Sequence, residues 1–357
     1  MIGQPLDSLD TPQLLLDLEV IDANLRSMLS AAKERDVALR VHFKSLKCAG
    51  LAKYLIERGA TGFLCAKLNE AETLADAGVW DILIANQVVG PAKMARIAAL
   101  AKRVSLRVLV DHADQVKPLS DAMVAVDAQL GVLVEVDIGM NRCGVEPGDA
   151  AVVLAKLVAE SPGLRFDGLQ GYDGHLQLNE DVKQKRLLCH QGMKKLIDTR
   201  ERIEAAGLKV ALVTGGGTGT WEFVAGYPGV TEIQPGSFVL MDCVYNNVRP
   251  EFGCALSILT SVLSRRESWF VLDAGSKAIS KDFGMPIVKG RPAEKIVKLA
   301  EEHTKVEADP STIRLGEHRE VVPAHCCATM NLHRQCLGVR KGRVETVWPI
   351  EASGRYD

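Results

Sequence analysis

Three short stretches of this 357-residue chain carry side chains whose types and spacing can do chemistry. The first is RVHFKSLK (40–47), where an apolar run meets Lys44 and a second cation, Lys47, follows three residues later. A lysine closing a buried run is uncommon, because its ammonium loses hydration there. Desolvation lowers the pKa of such an amine and makes it a usable nucleophile. The plainer alternative is that Lys44 marks the point where a strand leaves the core. The second stretch is VTGGGTGT (213–220). Glycines flanked by threonines let backbone N–H groups converge on an anion, and the helical TWEFVAG that follows offers a positive N-terminus. A glycine-rich turn without a ligand is the alternative. The third is PAHCCATMN (323–331), with His325 and Cys327 two residues apart. In a strand these two side chains share one face and Cys326 points the other way. They are either a nitrogen–sulfur ligand pair or two core residues of a β module.

Such residues need a frame. From residue 37 the chain repeats a short β-rich apolar run followed by an amphipathic helical stretch. The runs are VALRVHF (37–43), TGFLC (61–65), DILIAN (81–86), LRVLVD (106–111), GVLVEVD (131–137), FDGLQGY (166–172), VALVTG (210–215) and VTEIQPG (230–236). They are continuous rather than alternating, as in parallel strands covered on both faces. Eight βα units over roughly 200 residues predict an α/β fold, a closed (β/α)8 TIM-like barrel. The structural rival is an open doubly wound sheet, but no G-x-G-x-x-G follows the first strand. After residue 240 the texture changes to short strands with Gly and Pro punctuation, as in CALSILTSVLSRR, SWFVLDAG and RQCLGVRKGRVETVWPIEA, which predicts a C-terminal β domain. The early DTPQLLLDLEV also reads as a strand. The domains are therefore set at 23–240 for the barrel and 241–357, with the N-terminal strand of 1–22, for the β domain.

Composition narrows the function classes. Apolar residues make up 47%, charged residues 25%, and the net charge is −2, so nucleic acid and anionic membranes are not indicated as partners. There is no N-terminal export signal and no apolar run long enough to span a bilayer. Nine cysteines without a framework of spacings read as free thiols in a cytoplasmic protein.

Barrel chemistry sits at the C-terminal ends of the strands. Those ends deliver Lys44, Asn86, Asp111, His112, Arg142, Tyr172, His175, Gln177, the glycine loop with Gly216, Gly217 and Thr218, and then Gln234, Gly236 and Ser237. Barrels often bind phosphate after strands 7 and 8. A phosphate pocket there and a lysine after strand 1 suit pyridoxal 5'-phosphate, with Lys44 as its Schiff-base amine.

Taken together, DTPQLLLDL, HFKSLK, NQVVGPAK, VEVDIGMNRCGV, GLQGYDGHLQ, VTGGGTGTWEF, IQPGSFVLMD and VPAHCCATMNLH resemble the alanine-racemase-like, fold-type III pyridoxal phosphate enzymes, in their branch of D-threonine aldolases and D-serine dehydratases. The resemblance implies that Lys44 carries the cofactor and that Arg142 bonds its phenolic oxygen. It implies that Tyr172 and His175 pack against the ring, and that Gly216, Gly217, Thr218, Gly236 and Ser237 hold the phosphate. Gln234 stands where racemases place an arginine against the pyridine nitrogen. In this branch an H-x-C or H-x-D pair binds a divalent metal, which assigns His325 and Cys327 as ligands. Zn²⁺ is the preferred ion for imidazole with thiolate, and Mn²⁺ or Mg²⁺ are the alternatives. The family also implies a homodimer and a small β-hydroxy-D-amino acid substrate. Retro-aldol cleavage to glycine and an aldehyde is the leading activity, with Lys44, Tyr172 and His175 as catalytic groups. Two departures disturb that reading: Cys327 where aldolases commonly carry aspartate, which favours a D-serine or 3-hydroxyaspartate dehydratase, and Leu178 where they carry a histidine, for which nearby His175 is the substitute. A racemase, with Tyr245 as its second base, and a non-enzymatic cofactor binder are the remaining readings.

Overall fold

A computed structural model describes residues 1–309, 311 and 313–357. Pro310 and Thr312, inside the Gly- and Pro-punctuated stretch 303–323, lie outside the described residues. The chain divides into two compact units. One comprises Met28–Lys44, Leu55–Gly236 and Tyr356–Asp357, the other Met1–Ser27, Ser45–Tyr54 and Ser237–Arg355. The chain passes from the first to the second between Lys44 and Ser45, and again between Gly236 and Ser237.

The first unit is the closed barrel. After strand β1 (Gln13–Asp17), which belongs elsewhere, the staves are β2 (Ala38–His42), β3 (Gly62–Cys65), β4 (Asp81–Gln87), β5 (Ser105–Val110), β6 (Leu130–Glu135), β7 (Leu164–Gly171), β8 (Leu212–Gly215) and β9 (Glu232–Ile233). All eight pair in parallel, and the two-residue β9 closes the ring by pairing with both β8 and β2. The sequence predicts a longer last strand, 230–236. It stops early because Pro235 has no N–H to give a ladder; its carbonyl accepts instead from the His42 N–H at 3.0 Å. Strand β6 is buried at every position, as a stave covered on both faces must be. Leu64, Leu83, Leu109 and Leu133, one from each of four successive strands, form one packed apolar cluster.

The second unit is a nine-stranded sheet. It contains β1, β10 (Leu256–Arg265), β11 (Trp269–Leu272), β12 (Ile287–Val288), β13 (Lys295–Leu299), β14 (Thr304–Glu307), β15 (His318–Val322), β16 (Gln335–Arg340) and β17 (Arg343–Pro349). The main order is β13-β14-β11-β10-β1-β16-β17, with β15 paired to β10 and β12. Strand β1 is interior, antiparallel to β10 and parallel to β16. Its Leu14, Leu15 and Leu16 are buried, and Leu15 packs with Leu259, Leu337 and Val339. No helix among the described residues is long and apolar enough to cross a membrane.

Candidate active site

In the barrel unit, Lys44 lies in a single 3-10 turn, Phe43–Ser45, directly after β2. Phe43 anchors that turn: it is fully buried, with its ring edge-on to Phe63 at 6.3 Å. Lys44 itself is half-buried, and its ammonium stands 5.7 Å from the centre of the Tyr172 ring. The Arg142 guanidinium stands 5.5 Å from the centre of that same ring. Among the described residues no carboxylate forms an ion pair with Lys44. A cation–ring contact is worth only about 0.5–1 kcal/mol at a solvated site, so the amine is not locked against a ligand.

The chain places these groups by local rules. Tyr172 follows the last residue of β7. The short 3-10 turn Gly174–Leu176 then exposes His175, whose ring lies against Gly139. Gly139 and Arg142 sit in one turn built on Asp137, whose carboxylate accepts the N–H groups of Gly139 and Asn141. Asn141 is left-handed, with φ of 53°, and this reversal precedes Arg142. Burial pushes the Glu135 carboxyl up, opposed by the Gln87 amide bonded to it and by the charge of Arg142. Gln234 is buried and donates to Gln170 Oε1 at 3.0 Å, so its partner is neutral.

The glycine loop is shaped by a residue from another turn. Gln177 donates to Asp173 and to Thr220 Oγ1, and its Oε1 accepts the Gly219 N–H at 2.8 Å. The Gly217 N–H goes to Thr220 Oγ1 at 3.1 Å. A Cβ at Gly219 would stand 1.9 Å from the Gln177 carbonyl oxygen, and one at Gly217 would stand 2.5 Å from Gln177 Oε1. These two glycines are therefore required by packing, and their amides are engaged inside the loop. The residues fit pyridoxal phosphate: an amine free of carboxylates among the described residues, a ring shared by two cations, and a loop in which Gly217 and Gly219 leave no room for a Cβ.

In the sheet unit, the expectation of a strand through His325 and Cys327 is corrected. Pro323 ends the extended run after β15, and Cys326–Met330 is a short helix with His325 at its N-cap, φ −145° and ψ 107°. The pair sits on a cap and the first turn behind it, not on a pleat. Nor does Cys326 point away: its buried Sγ lies 3.9 Å from Cys327 Sγ, and its N–H donates to Asp242 Oδ2 at 2.9 Å. Contact with Cys327, together with burial, pushes the Cys326 thiol well above its ordinary range. Cys327 Sγ is 3.1 Å from Ser45 Oγ and 3.5 Å from Ser237 Oγ, so Ser237 adjoins the H-x-C pair in this unit. Burial works to lower the His325 pKa, but Cys327 and then Asp282 outweigh it and carry the imidazole up to about 9. Asp282 Oδ2 is 2.7 Å from His325 Nδ1. Among the described residues no group of three or more His, Cys, Asp or Glu side chains converges as a metal site. His325 and Cys327 alone supply the nitrogen and sulfur donors of the expected type.

Sequence reading missed Ser45, Asp282 and the structural part of Gln177. Ser45 follows Lys44 directly and had that much signal; Asp282 lies 43 residues from its histidine and had none.

A barrel with a lysine beyond its first stave, joined to a sheet that takes back the N-terminal strand, defines a class. Residues 16–243 match the family described as alanine racemase, N-terminal domain, and residues 255–339 match the serine dehydratase domain; the chain belongs to the alanine racemase N-terminal family. It is 38% identical to a D-threonine aldolase of Arthrobacter sp over 99% of this chain and 95% of that one. It is 36% identical to the 3-hydroxy-D-aspartate aldolase of Paracoccus denitrificans, covering 99% and 94%. The crystal structure of D-threonine aldolase from Filomicrobium marinum superposes with a TM-score of 0.96 at 39% identity, covering 99% and 98%. A D-threo-3-hydroxyaspartate dehydratase with a cysteine replaced by alanine, solved in the metal-free form, superposes at 0.88 and 25% identity, covering 97% and 98%. The resemblance and the fold read from the sequence are borne out, and the relatives are lyases.

Proposed function

We propose that this chain is a pyridoxal phosphate- and divalent-metal-dependent lyase that cleaves β-hydroxy-D-amino acids to glycine and an aldehyde, as its aldolase relatives are named for doing. The observation that carries the reading is the Lys44 ammonium, without a carboxylate partner among the described residues, sharing the Tyr172 ring with Arg142. When bound, the cofactor supplies an electron sink and the metal a Lewis acid. Lys44 holds the cofactor by its amine, Arg142 and Tyr172 position the ring, and Gln234 offers the pyridine nitrogen a neutral partner. Gly216, Gly217, Thr218, Gly236 and Ser237 are the residues assigned to the phosphate, Gly217 by the room it leaves rather than by its N–H, which Thr220 takes. His325 and Cys327 hold the ion, with Zn²⁺ preferred. His175, exposed beside Tyr172, takes the proton from the substrate's β-hydroxyl. The nine free thiols suit a cytoplasmic setting.

The test is a product assay with D-threonine. Glycine with acetaldehyde supports the aldolase; 2-oxobutanoate with ammonia and no glycine replaces it with a dehydratase. That second reading has its own support: Cys327 offers sulfur where aldolases commonly carry aspartate, and the chain also superposes on a D-threo-3-hydroxyaspartate dehydratase at 25% identity. We also propose a homodimer, so light scattering should give about twice the 38.7 kDa chain mass.

A further inference from the structure

Loop 278–283, which follows β11 in the sheet unit, is tied at four points to the His325 helix and the turn that follows it. His333 Nε2 donates to the Ala278 carbonyl at 2.8 Å, and the Ser280 N–H donates to Thr329 Oγ1 at 3.2 Å. Asp282 Oδ2 meets His325 Nδ1 at 2.7 Å. The Phe283 ring lies flat on the His325 imidazole, with centroids 3.9 Å apart and planes 4° from parallel. Ile279, fully buried, pins the loop from below. Ser280 Oγ bonds the other oxygen of Asp282, so the carboxylate is itself oriented.

An ionised carboxylate can only accept, so Nδ1 donates to Asp282, and Nε2 is the nitrogen left to meet an ion, releasing its own proton as the ion binds. Outer carboxylates of this kind fix the tautomer and the ring plane of a ligating histidine. The stacked phenyl ring adds a second restraint, because rotating the imidazole would break a face-to-face contact. Asp282 engages the nitrogen away from any ion, so it is not a third ligand. This accounts for a carboxylate beside the H-x-C pair where no three-ligand group exists among the described residues. We infer that Asp282 and Phe283 are positioning residues that present His325 Nε2 to a divalent ion; the inference rests on the metal reading given under the proposed function.

The experiment is a Co²⁺ titration of the cofactor-loaded protein, read by the visible d–d bands of the bound ion rather than by turnover. Wild type should bind with a measurable Kd. Asp282→Ala should weaken Kd by about 10- to 100-fold, the usual cost of removing such a partner. Asp282→Asn keeps an oxygen that accepts from Nδ1–H and should recover most of that loss. Phe283→Ala should weaken binding less than Asp282→Ala and broaden the cobalt bands. Unchanged cofactor uptake and circular dichroism in each variant show that the fold is intact. If Asp282→Ala binds within twofold of wild type, or Asp282→Asn recovers nothing, the positioning role is overturned while the metal reading stands. If wild type takes up no Co²⁺, both fall together.

Discussion

The two ends of the barrel use the same kinds of residue for opposite purposes. Near the N-terminal ends of the staves, a network of charges answers itself within the fold. Arg40, almost fully buried, lies 2.9 Å from both Glu232 and Asp81. Arg107 reaches Asp81 at 2.6 Å and Asp167 at 2.9 Å, Arg165 adds a second cation to Asp167, and Thr214 donates to Glu232. At the other end, Lys44 meets an aromatic face and no carboxylate among the described residues. A closed network stabilises; a cation held without its anion is prepared for something else. In barrels of this kind the lower face serves stability and the upper face chemistry, and here the pairing of the charges alone separates the two.

The comparison can be broken by mutation. Lys44→Ala should lower the aldolase rate by more than about 10³-fold, the scale of losing a nucleophile that also moves protons, and abolish borohydride-fixed cofactor. With cofactor stripped from both, its melting temperature should stay close to wild type, since no ion pair is lost. Arg40→Ala should do the reverse. Stranding buried Glu232 costs about 3–5 kcal/mol in urea unfolding, with kcat/KM per folded molecule unchanged. Gly219→Ala drives a methyl group into the Gln177 carbonyl and should cost about 1–3 kcal/mol, seen in stability and in weaker cofactor binding. Tyr172→Leu removes the ring shared by the two cations. A loss of about two- to fivefold in cofactor affinity matches a cation–ring contact; a much larger loss would mean that the ring does more than face two charges.

Much of this was legible beforehand, and the failures have physical causes. The staves announced themselves because parallel strands buried on both faces have to be continuous apolar runs, and LGVLVE is one. Lys44 stood out because burial and charge conflict there. His325 and Cys327 were chosen correctly as neighbours but for the wrong backbone. H-x-C after a β run looks like a strand until Pro323 is weighed as a stop and Ala328, Thr329 and Met330 as the turn that follows. Gln177 and the glycine loop meet across more than 40 residues, as do Asp282 and His325. Such pairings have no local periodicity to betray them. The glycines of VTGGGTGT were read as an anion cradle, yet Gly217 and Gly219 are demanded first by the glutamine packed on them.

Strand β1 is made before every other strand of its sheet and has to wait. Its antiparallel neighbour β10 leaves the ribosome about 240 residues later and its parallel neighbour β16 about 320 residues later. At ordinary elongation rates that delay is roughly 15 to 60 s. Throughout it, a nascent chain carries Leu14, Leu15 and Leu16 with neither edge hydrogen-bonded to its native partner, an invitation to aggregation. Truncation before residue 256 would make that exposure permanent, so shortened forms should accumulate as inclusion bodies rather than as a working barrel.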